Sequence, residues 1–304
     1  MCRQRLYRRC RFSKDELILI FRSLTASSVI LYGGLALLGP PFLLVGQAYA
    51  QTTLKAEYVI SFARITVGNA IVRADISDSA YAIFASGHAG GAMRLLADGD
   101  GNLISRGSVT GNRLLPSEFM LKIDSATNPL DVNMTIEDGD VTELTVLPPG
   151  NPDDAPIADA GRRRIVDPLT AVLVPADEAG DGLNREICQR TLPIFDGRQR
   201  YDLQLDFKRF DKVTANNGYS GPVIVCSLSF RPIAGHRVSA PLVKYLSESR
   251  QIEIAFAPLA GTHLLAPYRL VVANLLANLV VQANRFETSI ETAPAPPKSN
   301  SNSP

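Results

Sequence analysis

Arg200-Tyr201-Asp202-Leu203-Gln204-Leu205-Asp206-Phe207-Lys208 alternates without a break: Tyr201, Leu203, Leu205 and Phe207 are apolar, and every other residue is charged or polar. Successive side chains of a strand point to opposite faces, so this run reads as a β-strand with one face in a core and one in water. Its apolar face needs a partner, and the flanking sequence repeats the pattern. Ile224, Cys226, Leu228 and Phe230 share one side of a following strand, Ile252, Ile254 and Phe256 one side of the next, and apolar runs cover 268–276 and 279–286. Upstream, Tyr58, Ile60 and Phe62 share a face, and Ala70, Val72, Ala74 and Ile76 lie opposite Arg73, Asp75 and Ser77. Phe119, Leu121 and Ile123, then Val132, Met134 and Ile136, continue the series. Gly68-Asn69, Ser77-Asp78-Ser79, Gly111-Asn112 and Asp138-Gly139-Asp140 fall between runs, where short reversals join antiparallel neighbours.

Helical signals are few. Residues 148–161, rich in Pro, Asp, Ala and Gly and without a period, read as a surface loop. A short helix is expected after it, with Asp167 as N-cap, Pro168 at the first helical position and Pro175 as its stop. A second is expected over 183–188. About ten antiparallel strands with one-sided faces imply a mainly β fold: a strongly curved sheet, spiral, half-barrel or barrel-like, since a flat one would leave edges and an apolar face exposed. The expected organisation is one all-β domain over 51–288 and, from 289, a disordered tail of Pro, Ala, Ser and Asn.

The first fifty residues carry a different message. Arg3, Arg5, Arg8, Arg9, Arg11, Lys14 and Arg22 lead into an apolar, Gly-rich run over 24–45 and then Ala48-Tyr49-Ala50, the form of an export signal cleaved between Ala50 and Gln51. Gly33, Gly34, Gly39 and Pro40-Pro41 interrupt that run and disfavour a retained span. The expected location is the periplasm, with no stable membrane span after cleavage. Seven of the 31 Lys+Arg and two of the 30 Asp+Glu lie in this segment, so the remainder is acidic by about four charges, which argues against nucleic acid as a partner. Cys2 and Cys10 leave with the signal, and Cys188 and Cys226 remain. Two thiols in an oxidising space are expected to pair; two separate buried thiols are the alternative, and the spacing is unlike the C-x-x-C of a redox pair.

Motifs that carry chemistry are missing: there is no H-E-x-x-H, G-x-S-x-G or phosphate-binding loop, and Gly99-Asp100-Gly101 lacks the third glycine of a dinucleotide fingerprint. No catalytic residues, cofactor or metal are assigned. Asp98, Asp100 and Asn102 have the opening spacing of a calcium loop, but Leu103 and Val109 occupy its glycine and glutamate positions, so a tight turn is expected. His88, His236 and His263 have no ligand spacing on one element. Basic groups are the better lead. Arg162-Arg163-Arg164 precede the Asp167 helix, and Arg198, Arg200, Arg231, His236 and Arg237 gather at strand ends, where guanidinium forks could hold phosphate or carboxylate groups. The competing reading is a solvated rim paired with Asp159, Asp196 and Asp202.

The segments Thr191-Leu-Pro-Ile-Phe-Asp-Gly-Arg-Gln-Arg-Tyr-Asp-Leu203, Gly218-Tyr-Ser-Gly-Pro222 with Cys226, and Arg231-Pro-Ile-Ala-Gly-His-Arg237 resemble the exported bacterial family called domain of unknown function 3108. Tyr58-x-x-x-Phe62 with Val67-Gly68, and Asp167-Pro168-Leu169, agree with its alphaproteobacterial members. The resemblance spans nearly the whole exported part and implies no catalytic residues, because the family has no established activity. More loosely, the expected shell is similar to the spiral or half-barrel folds of periplasmic lipoprotein carriers and envelope-integrity proteins. The functional expectation is a non-catalytic envelope protein binding a lipid-like molecule or an envelope protein along its curved sheet. The alternative is a hydrolase of an envelope polymer with His236 or His88 as the acid–base group.

Overall fold

The alternating runs become hairpins wherever a turn reverses the chain. The computed structural model describes residues 50–90, 99–176, 183–237, 239–248, 251–273 and 277–292. Strands β1 (Ala50–Phe62), β2 (Ile65–Ser77), β3 (Ala80–Ala89), β4 (Asp100–Thr110), β5 (Arg113–Asp124), β6 (Leu130–Glu137) and β7 (Asp140–Leu147) pair in succession as an antiparallel meander. Asp138 and Gly139, at φ 52° and 82°, close the last hairpin in the left-handed conformation whose twist matches the strands. One expected reversal moves: Gly68 and Asn69 lie inside β2, and the β1–β2 turn is made by Ala63 and Arg64 at φ 51° and 67°. The glycine answers another need, since a Cβ on Gly68 would stand 2.7 Å from the carbonyl oxygen of His88 on β3. The expected tight turn at Asp100 and Asn102 is strand as well, within β4, while Asp98 lies outside the described residues.

The rest of the chain adds β8 (Val174–Pro175), β9 (Arg190–Phe195), β10 (Arg200–Thr214), β11 (Asn217–Gly218), β12 (Ser220–Ala234), β13 (Ile252–Pro258), β14 (Leu264–Val272) and β15 (Leu279–Thr292). Helix α1 (Pro168–Ala171) begins where expected, with the Asp167 side chain accepting from the Leu169 and Thr170 amides. Residues Arg185–Cys188 form a 3-10 turn, and α2 (Pro241–Glu248) is a helix that the apolar spacing did not announce. The strands make one sheet of fifteen, in the order β7-β6-β5-β4-β3-β2-β1-β15-β14-β13-β12-β10-β9, with β11 on β15 and β8 on β14. The halves join through β1 and β15, paired from Ala50↔Thr292 to Phe62↔Leu279. The strand therefore runs four residues beyond 288, where composition placed the start of the tail; 293–304 lie outside the described residues, as do 1–49, the segment read as an export signal.

The sheet is curved rather than closed: its terminal strands β7 and β9 share no ladder. A short strap spans the gap. Ile165 N–H donates to the Gly139 carbonyl (2.8 Å) in the β6–β7 turn, and Val166 N–H donates to Pro193 O (2.9 Å) while Val166 O accepts from Phe195 N–H (3.1 Å) on β9. Gly197, in the β9–β10 turn at φ 93°, lies so close to β6 and β7 that a Cβ there would stand 2.4 Å from a Val132 methyl.

Two cores result. Leu54, Tyr58, Ile83, Phe119, Met134, Phe195, Val225 and Phe286 belong to the first, which draws on both halves of the sheet and on α1. Ile224, Cys226, Ile254, Phe256 and Leu265 belong to the second, with Val174, Ile187 and Cys188. Val223 and Val225 go to the first core and Ile224 and Cys226 to the second, so β12 is apolar on both faces, as a strand covered on both sides must be. The Cys188–Cys226 disulfide, with Cα atoms 5.5 Å apart, fastens the 3-10 turn to β12.

Candidate functional site

The fold brings Arg198, Arg200, His236 and Arg237 to the turns that end β9, β10 and β12, and each has a partner there. Arg200 bonds to Asp202 (2.6 Å) and to the Tyr201 carbonyl (2.7 Å). Arg198 donates to Pro148 O (2.6 Å), and Arg237 stands 3.9 Å from both Asp153 and Asp154. With backbone bonds from Ala155 N–H to His236 O and from Gly235 N–H to Ala155 O, these contacts hold the 148–161 loop against the strand ends. Asp196 caps the β9–β10 turn by accepting from the amides of Arg198 and Gln199; burial pushes its carboxyl upward. Arg231 stays apart and exposed, opposite Asp202 on the neighbouring strand.

His236 is 3% exposed, with its ring 5.7 Å from Phe230 and 6.3 Å from Tyr201. Its Nε2 lies 3.2 Å from Arg200 O, and its Nδ1 has no partner among the described residues. Desolvation holds its pKa below the ordinary histidine value. A ring enclosed in this way secures a corner of the fold. His88 is exposed on β3, and no three His, Cys, Asp or Glu residues among those described are placed to hold a metal ion.

A polar cluster lies inside the first core. Asp167 is fully buried and accepts from Leu169 N–H (2.9 Å), Thr170 N–H (3.0 Å) and Ser105 Oγ (3.0 Å). Thr170 Oγ1 bonds to Ser105 (2.9 Å) and to the Tyr81 hydroxyl (2.6 Å). Desolvation raises the Asp167 pKa, and the hydrogen bonds from Thr170, Ser105 and Leu169 oppose the rise. Every member is satisfied by another, so the cluster seats α1 in the sheet.

An open groove of about 450 Å³ forms where β14 and β15 part. Their ladder runs from Val272↔Leu279 to Arg269↔Gln282; beyond it, β11 takes the edge of β15 at Arg285 and Phe286. A bulge interrupts each strand at this point. The β13–β14 register skips Tyr268 and the β1–β15 register skips Asn284, and both residues line the groove. Bulges re-aim side chains, which is how a regular sheet opens a site. Ser61, Thr214, Asn216, Arg269, Gln282 and Asn284 supply polar groups, and Val59, Val213 and Ala283 apolar ones. Asn216 donates to Asn284 across the groove, whereas Arg269 is exposed and makes no ion pair among the described residues.

A family model described as a protein of unknown function (DUF3108) matches residues 57–273. The chain belongs to the DUF3108 family. No curated protein matches the sequence of this DUF3108 member. Among solved structures it is similar to a beta-barrel-like protein of domain of unknown function DUF1849 from Brucella abortus, at 7% identity and a TM-score of 0.41, over 80% of this chain and 99% of that one. The family match covers Asp167, the cystine, the arginine corner and Arg269, but stops before Gln282 and Asn284. Groove residues escaped the sequence reading because they come from β1, the end of β10 and the turn after it, β14 and β15, and two of them owe their place to bulges that alternation does not reveal.

Proposed function

We propose that this DUF3108 protein acts in the periplasm as an envelope protein that binds a ligand without transforming it, and that its ligand lies in the groove between β14 and β15. The groove carries the reading: a recess of about 450 Å³ sits at paired bulges and joins hydrogen-bonding side chains to Arg269, a cation with no ion pair among the described residues, within the range of small-molecule sites. Among the described residues its lining contains no histidine, cysteine or carboxylate, so a nucleophile with its base, or an acid–base pair, is not supplied by these side chains. A lipid-like molecule along the curved sheet is less well served, because the apolar side chains of the first core bury one another. Support for export comes from the basic, apolar and A-x-A succession before Gln51 and from the cystine. His236, the best acid–base group of a hydrolase, is enclosed rather than presented in a cleft.

Native mass spectrometry of protein purified from the periplasm tests the reading. A retained molecule is expected on the disulfide-bonded chain starting at Gln51, and the exposed groove substitution Thr214→Trp should expel it. A bare mass for both proteins would refute it, as would a ligand indifferent to the tryptophan. No helix among the described residues is long and apolar enough to cross a membrane.

A further inference from the structure

The same groove specifies the chemistry of what it holds. Three of its polar side chains, Asn216, Gln282 and Asn284, are carboxamides, and two more, Ser61 and Thr214, are hydroxyls. Each such group both donates and accepts, which is the complement of a sugar hydroxyl. The Asn216–Asn284 bond uses one donor and one acceptor, leaving the Asn216 oxygen and second N–H and the Asn284 amide nitrogen for a ligand. Gln282 gives one amide N–H to Ala283 O, leaving its second N–H and its side-chain oxygen. Arg269, opposite Gln282 in the ladder, adds a planar fork suited to one carboxylate. A phosphate-rich ligand would need more than one cation, and an acyl chain would need a lining without amides.

We propose that the groove takes a sugar bearing a single carboxylate, of the uronic acid class, with Arg269 holding the carboxylate and the carboxamides holding ring hydroxyls. This rests on the groove being the binding site. The open form of the recess leaves both ends of the sugar free, so the ligand can be one residue of a longer acidic polysaccharide.

Titrating the full disulfide-bonded chain with glucuronate, methyl glucoside or inorganic phosphate, followed by amide NMR, tests the proposal. Glucuronate is expected to shift the amides of Asn216, Arg269, Gln282 and Asn284 saturably, with methyl glucoside and phosphate at least tenfold weaker. Arg269→Gln, an exposed change checked by an unaltered melting temperature, is expected to weaken glucuronate at least tenfold, and Arg269→Lys less. Equal binding of glucuronate and methyl glucoside, or indifference to Arg269→Gln, overturns the carboxylate assignment while leaving a sugar groove. Preference for phosphate overturns the class. Should glucuronate leave the groove amides unmoved while the periplasmic protein carries a molecule that Thr214→Trp expels, the sugar assignment falls and the binding site stands.

Discussion

Two buried titratable side chains respond to pH in opposite ways. Asp167 binds its proton more readily folded than unfolded, because burial raises its pKa above 3.8. The stability linked to it is present below that value and is lost as pH rises through the folded pKa. Asp167→Asn keeps an oxygen for the Leu169 and Thr170 amides and a donor for Ser105, and it removes the charge. Its melting temperature relative to wild type should therefore climb as pH rises above 3.8. Asp167→Ala leaves three buried donors stranded and should cost about 3 kcal/mol in urea unfolding. His236 runs the other way. Its folded pKa lies below 6.5, so the unfolded chain takes up the proton first and stability is lost as pH falls below 6.5. Charging the ring also puts a proton on Nδ1, which has no acceptor among the described residues. A melting-temperature series on His236→Phe should lack that part of the acid slope.

Among the elements, those with an unbroken contrast between faces were the legible ones. β10, β12 and β13 follow the alternation of 201–207, 224–230 and 252–256, and Asp167-Pro168 marked α1. β3 was legible only as a strand ending beside Gly87 and His88, and β4 not at all, because small residues such as Ala82, Ala85, Ser86, Gly87, Ser105 and Gly107 blur the contrast although the ladder needs only the backbone. The expected count of about ten strands fell short of fifteen in part for that reason. β8 and β11, two residues each, are set by their neighbours alone. The arginine corner was legible as a cluster but not as a set of ties, since Pro148, Asp153 and Asp154 reach it only through the fold. The cystine belongs to this scale too. It closes a separation of 38 residues and holds the cover of the second core to β12, so Cys188→Ala with Cys226→Ala should lower the unfolding free energy by about 4 kcal/mol in the chain-entropy account. Limited trypsin digestion should then cut first at Arg185 or Arg190, beside the released turn.

For the molecule as a whole, curvature depends on the strap as well as on the strands. Val166 exchanges two backbone bonds with β9 while its neighbour Ile165 bonds to the β6–β7 turn. Val166→Pro deletes the donor to Pro193 and should let the two sheet edges part. Hydrogen exchange is expected to quicken at Ile165 and Phe195 and to stay slow at Leu54 and Ala74 on the central strands. Unchanged protection at Phe195 would mean that side-chain packing around Gly197 alone keeps the edges together.

The β1–β15 ladder carries a consequence for assembly in time. Ala50 and Thr292, 242 positions apart in the sequence, lie side by side on the central strands of the sheet, so neither half can complete its hydrogen bonds until β15 has been made. The growing chain carries that central seam open until its last strand is made, and through that interval the edges of β1 and β15 stay unpaired. Linking Thr292 to Ala50 and cutting instead at Asn128, in the exposed β5–β6 turn, would join both partners in a single hairpin and shorten the wait.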